Sequence, residues 1–481
     1  MSYNHGVYVS EVPTQITPPV TAAGFVPVVI GTAPVNLASD AKVNEPVLCY
    51  SYDEAVAALG YSTDYDNYTL CEQIYAQFAL FGVAPVVFIN VLDPATHIAS
   101  ITAESVSLVD GKVSPANKGV LKDTLVVKNS AGDTTYILGI DYTAAFNDDE
   151  ELVITRIVDG SIATDTTDLQ IDYDRLDPSA ITSADVIGGV DSNGVATGLE
   201  LINEIFPRFR LAPTHGAAPG FSTDPAVRAV GVAKMLLINN NFRGQWIGDI
   251  PTDTVTKYAD VAAWKNDNNY TAAHEVVCWP KVKLGDSQFH LSTQTLCVIG
   301  KATADNNGIL NVTPSNRSLQ ADSSVLADGT EIYLQQPQAN ALNGQGIVTA
   351  LNFIGGWKVW GNRTAIYPGN SDPKDSFIKI RGWQNWLANT LITTFWQKVD
   401  GDLSRRQLES ITDSANIFLN GLTASGDLLG GRVEFLPEDN PTTSLLDGKA
   451  KFRVYQAAPV PNREIEFVVE YDAEYLSTLF A

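Results

Sequence analysis

Sulfur is scarce in this chain: 481 residues include four cysteines and two methionines. Cys49, Cys71, Cys278 and Cys297 show no CxxC spacing, so they suit buried thiols in a reducing cytoplasm better than a disulfide framework. Histidine is nearly as sparse, at positions 5, 97, 215, 274 and 290, with no metal-like spacing. Basic residues are outnumbered, 31 against 55 acidic, for a formal net charge of −24. That balance argues against nucleic acid as the main partner, because phosphate binding needs a concentrated basic face. It favours solubility, or a partner with a basic surface. No Lys or Arg precedes Lys42, so a secretory n-region is missing. The longest apolar run, about residues 22–35, is broken by Gly and Pro and is too short to span a bilayer. The chain therefore reads as cytosolic at synthesis and not membrane-inserted. No low-complexity tract interrupts it, and its length allows two to four domains with sizeable cores.

Catalytic signatures are also wanting. There is no P-loop, no G-x-G-x-x-G after a strand and no G-x-S-x-G elbow. His274-Glu275 begins a match to a zinc-protease helix, but Cys278 stands where the second His belongs, so a coincidental pair on a strand edge is the better reading. The run Asp148-Asp149-Glu150-Glu151 lacks the alternating ligand spacing of an EF-hand and reads as a solvated loop. Asp172 and Asp174 could do acid–base work, yet such pairs arise by chance in so acidic a chain. No catalytic, cofactor-binding or metal residue is assigned, and the chain reads as a non-enzyme without cofactors.

Taken in order, residues 1–21 are no core segment: Val7, Tyr8 and Val9 suggest a short strand, and Pro13, Pro18 and Pro19 exclude a helix. They form a frayed terminus or an extended arm that pairs with another chain; 20 extended residues reach roughly 65 Å. Residues 25–35 read as a buried strand ending at Gly31. Ser51 and Glu54 can cap a short helix through Leu59, and Leu70, Ile74, Phe78 and Phe81 mark a second helix. The near-continuous apolar run 83–92 is the mark of a strand covered on both faces. Strand, helix and strand at this spacing argue an α/β layer.

Residues 96–190 hold 16 acidic and 6 basic residues, a net −10, with short alternating runs at 125–127, 136–140 and 152–158. They read as an antiparallel β module inserted between two α/β pieces. The α/β pattern returns with a helix over 199–206, a strand over 209–212, a turn at Ala218-Pro219-Gly220 and a helix from Asp224-Pro225. Strands at 246–250 and 276–282 flank a helix over 258–264. Gly355, Gly356 and Gly361 permit unusual backbone turns, and Arg363 beside Trp360 could stack and pair with a carboxylate.

The last hundred residues read as strand, helix, helix, strand, strand. Phe377, Lys379 and Arg381 alternate with Ile378 and Ile380, the strand period. Trp383, Trp386, Leu387, Leu391, Ile392 and Phe395 then recur at helical steps. Ser404 and Gln407 offer a capping box for a helix carrying Leu408, Ile411, Ala415, Phe418, Leu419 and Leu422 on one face, with Gly421 and Gly426 as natural stops. Residues 451–456 alternate as a strand with one oily side. A closing run sets Ile465, Phe467, Val469 and Tyr471 against Glu464, Glu466 and Glu470. This unit has too few strands for a broad sheet.

Several stretches, in order, resemble the contractile tail sheath proteins of long-tailed bacteriophages, a family shared in outline with R-type bacteriocins and other contractile injection systems. They are residues 5–13 (HGVYVSEVP), 28–34 (VVIGTAP), 218–227 (APGFSTDPAV), Asp249-Ile250-Pro251, 314–317, 340–347 (NALNGQGI) and 360–364 (WGNRT), with the tryptophan-rich C-terminal unit. Asn90 departs from the pattern, standing where many relatives carry an arginine; WGNRT is read as fixing a turn within the subunit. The resemblance implies an α+β / α/β multidomain protein. Residues 22–95 and 191–375 would form a discontinuous layered α/β core, and residues 96–190 an exposed acidic insertion. Residues 376–481 would form a C-terminal α+β polymerisation domain, with extended arms at 1–21 and about 457–481. It implies a structural subunit that polymerises in stacked, hexameric rings around an inner tube and contracts to drive the tube through a target envelope, by way of genome ejection in a phage. Val7, Tyr8, Val9, Ile465, Phe467 and Val469 would add strands to neighbouring subunits (β-augmentation), and Lys398, Arg405 and Arg406 would face an acidic tube. The expected partners are copies of itself, the inner tail tube protein, and baseplate and tail terminator proteins. The expected location is a virion tail or bacteriocin particle assembled in the bacterial host cytoplasm. The alternative is a β-rich surface or capsid-like binding protein whose acidic module recognises a ligand.

Overall fold

The computed structural model describes residues 19–480. The arm residues Val7, Tyr8 and Val9, and His5, lie outside the described residues. The central layer is an eight-stranded sheet. Its strands are β1 (Pro27–Gly31), β2 (Pro46–Cys49), β3 (Val86–Asn90), β4 (His215–Ala217), β5 (Gln245–Asp249), β6 (Glu275–Cys278), β7 (Ile347–Asn352) and β8 (Trp357–Trp360). They lie in the order β8-β7-β6-β5-β4-β1-β3-β2. The six inner strands pair in parallel, while β8 and β2 close the edges antiparallel. Parallel pairing needs helical crossovers, and these cover both faces. That is why β1 and β3 are buried along their whole length, as their continuous apolar runs predict.

Alternate residues of each strand enter different cores. Trp246 and Val28 pack with the helices α3 (Ile202–Phe209) and α4 (Pro225–Leu236). Ile247 and Val29 pack towards the helix α5 (Leu291–Asp305). Gly231 permits the close approach of α4, since a Cβ there would sit 2.7 Å from the Trp246 indole. At the other edge, α1 (Tyr52–Leu59) is capped by the Ser51 hydroxyl accepting from Glu54 N, as expected. The second helix, α2 (Thr69–Ile74), does not continue regularly to Phe81; it widens into a π-helical turn over Tyr75–Leu80.

Between β3 and α3 the acidic segment forms two antiparallel sheets, of four and three strands, around their own buried cluster of Val127, Tyr142, Ile154, Leu169, Ile171 and others. The run 136–140 is a strand only at Thr135–Tyr136; Ile137, Leu138 and Ile140 are exposed turn residues.

Several sequence expectations fail for local reasons. The expected strand at 209–212 is the end of α3: Arg210 adopts a left-handed conformation (φ 60°) that ends the helix, and the strand comes at β4. The expected strand at 276–282 is two strands in different sheets, β6 and Lys281–Leu284, divided at Pro280, which has no N–H to donate to a ladder. His274-Glu275 therefore borders an interior strand, not an edge. Arg363 stacks on the rings of Tyr367 (4.3 Å) and Phe377 (3.7 Å) and donates to the Ser376 hydroxyl, so its partners are not Trp360 and a carboxylate.

The C-terminal part departs most. Residues 376–381 form no strand. After a short helix over Pro373–Ser376, α6 (Ile378–Phe395) begins at once, with Arg381 N donating to Phe377 O. Five alternating residues are too few to distinguish the two periods when the next turn continues helically. The second helix, α7 (Arg405–Ala424), runs through Gly421, and the turn comes at Gly426 (φ 87°). Two strands follow, β9 (Gly430–Glu434) and β10 (Arg453–Ala457), paired antiparallel as an isolated two-stranded sheet. Residues 458–472 adopt no secondary structure, so the closing alternating run forms no strand with the other described residues.

Candidate polymerisation surface

The helix α6 is the spine of this surface, because three of its faces are committed to different parts of the chain. Asn385 and Asn389 donate to Gly244 O (3.0 Å) and Arg243 O (2.9 Å), fixing the helix to the entry of β5. Trp383 and Trp386 are buried against one another, with ring centroids 5.3 Å apart, in the core that continues into α7 through Ala415, Leu419 and Leu422. Their polar tips are used as well. Trp383 Nε1 donates to the Gln456 side chain in β10 (2.9 Å), and Trp386 Nε1 donates to Ala22 O (3.0 Å). Buried tryptophans stabilise most when the indole N–H also finds a partner. A threonine stripe then holds the incoming N-terminal segment: Val20 N donates to Thr394 Oγ1 and Ala22 N to Thr390 Oγ1, at 3.0 and 3.1 Å. The described chain thus begins along the C-terminal half of α6.

The β9–β10 hairpin is stitched by side-chain amides that imitate strand partners. Asn416 of α7 accepts from Val433 N (2.7 Å) and donates to Val433 O (3.0 Å). Asn440 does the same for Lys451, accepting from its N–H (2.7 Å) and donating to its carbonyl (2.8 Å). Beside it, Asp439 receives the Arg453 guanidinium and the Lys451 ammonium, and the Arg453 hydrogen bond pulls the carboxyl down to about 2. The Asp427 side chain accepts from Asn306 and its carbonyl accepts from Asn311, tying the α7–β9 corner to the chain after α5.

This hairpin has an oily face and a charged one. Val433 is buried, and Phe452 and Val454 border a groove of about 660 Å³ with Leu391, Phe395, Leu408 and Ile411. On the opposite face Arg432 lies over the Tyr455 ring at 4.2 Å, with Arg453 alongside; both arginines remain solvent-accessible. A two-stranded ribbon with a free edge is marginal alone and is a template for further strands. The closing segment presents what such a template takes: Ile465, Phe467 and Val469 are 67, 86 and 92% exposed.

The expected tube-facing residues stand in one neighbourhood. Ser404 caps α7 through Gln407 N (3.2 Å); the reciprocal half of the expected capping box is absent, since Gln407 Nε2 donates instead to Lys398 O (3.1 Å). That bond folds the chain carrying Lys398 against the start of α7. Arg405 is 91% exposed and pairs with Glu409 one turn on; Arg406 is exposed beside it, and Lys398 is half-buried. The other basic residues between 374 and 410 are occupied: Lys374 and Arg381 bind Asp375, and Lys379 is half-buried.

Sequence reading gave no role to Asn90 and did not anticipate Asn416 or Asn440. Asn90 is fully buried, and its Oδ1 accepts from Ala33 N and Leu92 N, bracing the ends of β1 and β3. A lone asparagine carries no periodic signal, so nothing in the sequence marks these three.

One buried cluster has the residue types of a hydrolase. The Ser222 and Ser292 hydroxyls both meet the Asp249 carboxylate, which burial pushes above the ordinary range. The His290 imidazole is bound to Glu72 (2.7 Å) rather than to either hydroxyl. A serine needs a base at its own oxygen to become a nucleophile. Here the hydroxyls serve a carboxylate at the end of β5 that also accepts from Ser292 N at the start of α5, which is a packing role. Asp172 pairs with Lys128, and Asp174 accepts from Ser100. Among the described residues no group of three or more His, Cys, Asp or Glu side chains could hold a metal, and no helix is long and apolar enough to cross a membrane.

Comparison with known proteins agrees with this architecture. No family model matches the chain. The tail sheath protein of Burkholderia phage BcepMu is 28% identical over 504 aligned positions, which cover 99% of this chain and 98% of that protein. Among solved structures, the helical sheath of the anti-feeding prophage in its contracted state superposes with a TM-score of 0.59 at 14% identity, covering 98% of this chain and all of that one. The contracted sheath complex of the extracellular contractile injection system PVC gives 0.58 at 14% identity, over 99% of both chains. A layered α/β core followed by a C-terminal hairpin is thus matched end to end by the fold of contractile sheath subunits. Over nearly its whole length the chain is similar to contractile tail sheath proteins.

Proposed function

We propose that this chain polymerises around an inner tube as stacked rings and that its contraction drives the tube through a target envelope, with no reaction catalysed by the subunit. The observation that carries the reading is the unfinished β9–β10 ribbon beside an apolar groove, in a chain whose own closing segment exposes a matching apolar face. Residues 464–471 and the arm at 7–9 of neighbouring copies supply the missing strands. Main-chain hydrogen bonds then link the subunits while leaving them free to pivot. The free energy of contraction is the difference between two sets of subunit interfaces, so no nucleotide is required. Assembly takes place in the bacterial host, and the product is a virion tail or a bacteriocin-like particle that ends on baseplate and terminator proteins.

Two experiments test the parts. Deleting residues 2–18 spares Val20 and its bonds to α6, so the subunit should stay folded and soluble yet fail to polymerise; normal polymers from this truncation would overturn the role of the arm. Lys398, Arg405 and Arg406 face the tube in this reading, supported by the exposure of both arginines at the start of α7. Changing Arg405→Glu and Arg406→Glu together should weaken co-assembly with the tube protein and flatten its dependence on salt. Unchanged co-assembly would remove this helix from the tube interface.

A further inference from the structure

The β9–β10 ribbon has two outer edges, and they are not equivalent. Asn416 holds both the N–H and the C=O of Val433, so these groups point away from β10 and are already satisfied by a side chain of α7. A new strand cannot lie along β9 without displacing that amide. In an antiparallel pair, opposite residues direct their free groups to opposite sides. Val433 pairs with Val454, so the main-chain groups of Val454 point outward from β10. Among the described residues none of them has a partner from another segment. The groove lined by Phe452, Val454, Leu391 and Ile411 borders this open edge.

We infer that Asn416 is an edge selector: by closing β9 it admits the incoming strand of a second copy at β10 alone. The inference rests on the reading of residues 464–471 as the donated strand. Their pattern suits the selected edge on both faces. Ile465, Phe467 and Val469 meet the apolar groove, and Glu464, Glu466 and Glu470 lie over the side bearing Arg453 and, one strand further, Arg432, which also pair with Asp439 and Glu434 respectively. Opposite charges directly across two strands are favourable, and like charges are not. The N-terminal stretch 5–13 carries one acidic residue, Glu11, so charge favours the C-terminal segment as the strand next to β10. The N-terminal arm of a further copy then adds outside it.

Cross-linking in assembled, full-length chains tests this. The four native cysteines are buried and stay silent. Tyr455→Cys on β10 and, separately, Arg432→Cys on β9 are each combined with Glu464→Cys, Glu466→Cys or Glu470→Cys. A disulfide needs Cα atoms within about 7 Å, which neighbouring strands meet and strands one further apart do not. With Asn416 in place, the expected links between copies involve position 455 and not 432. With Asn416→Ala, which α7 tolerates by helix propensity, links at 432 should rise at least tenfold. Links at 432 equal to those at 455 with Asn416 intact would overturn the edge selection while leaving the donated strand standing. Assembled chains with links at neither position would overturn the donated strand itself, and the edge selection with it.

Discussion

Single residues here decide matters that patterns cannot. Asn416 and Asn440 each present one acceptor and one donor to the main chain of a single residue, as a strand partner would, and Asn90 accepts from two N–H groups at the ends of β1 and β3. Such roles are invisible in a sequence, because asparagine is ordinary in turns and helices alike. The buried histidines make a prediction that needs no partner protein. Burial pushes His215 from 6.5 down to about 3 and His274 down to about 4, so both are neutral in the fold. The unfolded chain then binds protons more readily between these values and 6.5. Folding stability should therefore be fully present above pH 6.5 and be lost as the pH falls towards 4. At pH 4.5 each histidine costs on the order of 2 kcal/mol. Urea unfolding at pH 7 and pH 4.5 measures this, and His274→Asn, whose amide can still meet Gly244 O, should show the smaller drop.

At the level of elements, the sequence was most legible where burial is two-sided or the helical stripe is long. The strands β1 and β3 are recognisable as unbroken apolar runs, and α7 as a stripe from Leu408 to Leu422. Legibility failed at short elements and junctions. The strand β9, with the sequence GGRVE, has a single buried side chain, Val433, and no period to detect. Residues 376–381 alternate by chance at the start of a helix, where Arg381 N donates to Phe377 O and its guanidinium meets Asp375. The shortage of strands read in this unit has its counterpart in the two-stranded β9–β10 sheet. Val454→Pro probes it. Proline removes an N–H that faces outward, so the hairpin's own ladder survives. Each junction loses one main-chain bond worth about 0.5–1.5 kcal/mol. The concentration needed for polymerisation, read by pelleting, should rise roughly two- to tenfold while the subunit remains folded.

At the scale of the molecule, the subunit combines a continuous core with an exposed closing segment. One buried cluster runs from the main sheet through α6 into α7 and β9, so the proposed polymerisation surface is carried on the core. Val20 is held along α6 in that same region, and the closing segment follows β10 with its apolar residues exposed. Exposed apolar patches of this extent on a chain with a net charge of −24 mark a surface meant to be covered. The central claim is that copies of the chain cover it for one another. Electron microscopy of the purified full-length chain, beside the chain lacking residues 2–18, tests this most directly. Tubes or stacked rings from the full chain and monodisperse particles from the truncation are the predicted result. Monodisperse particles from both, at concentrations where related sheaths assemble, would contradict the account.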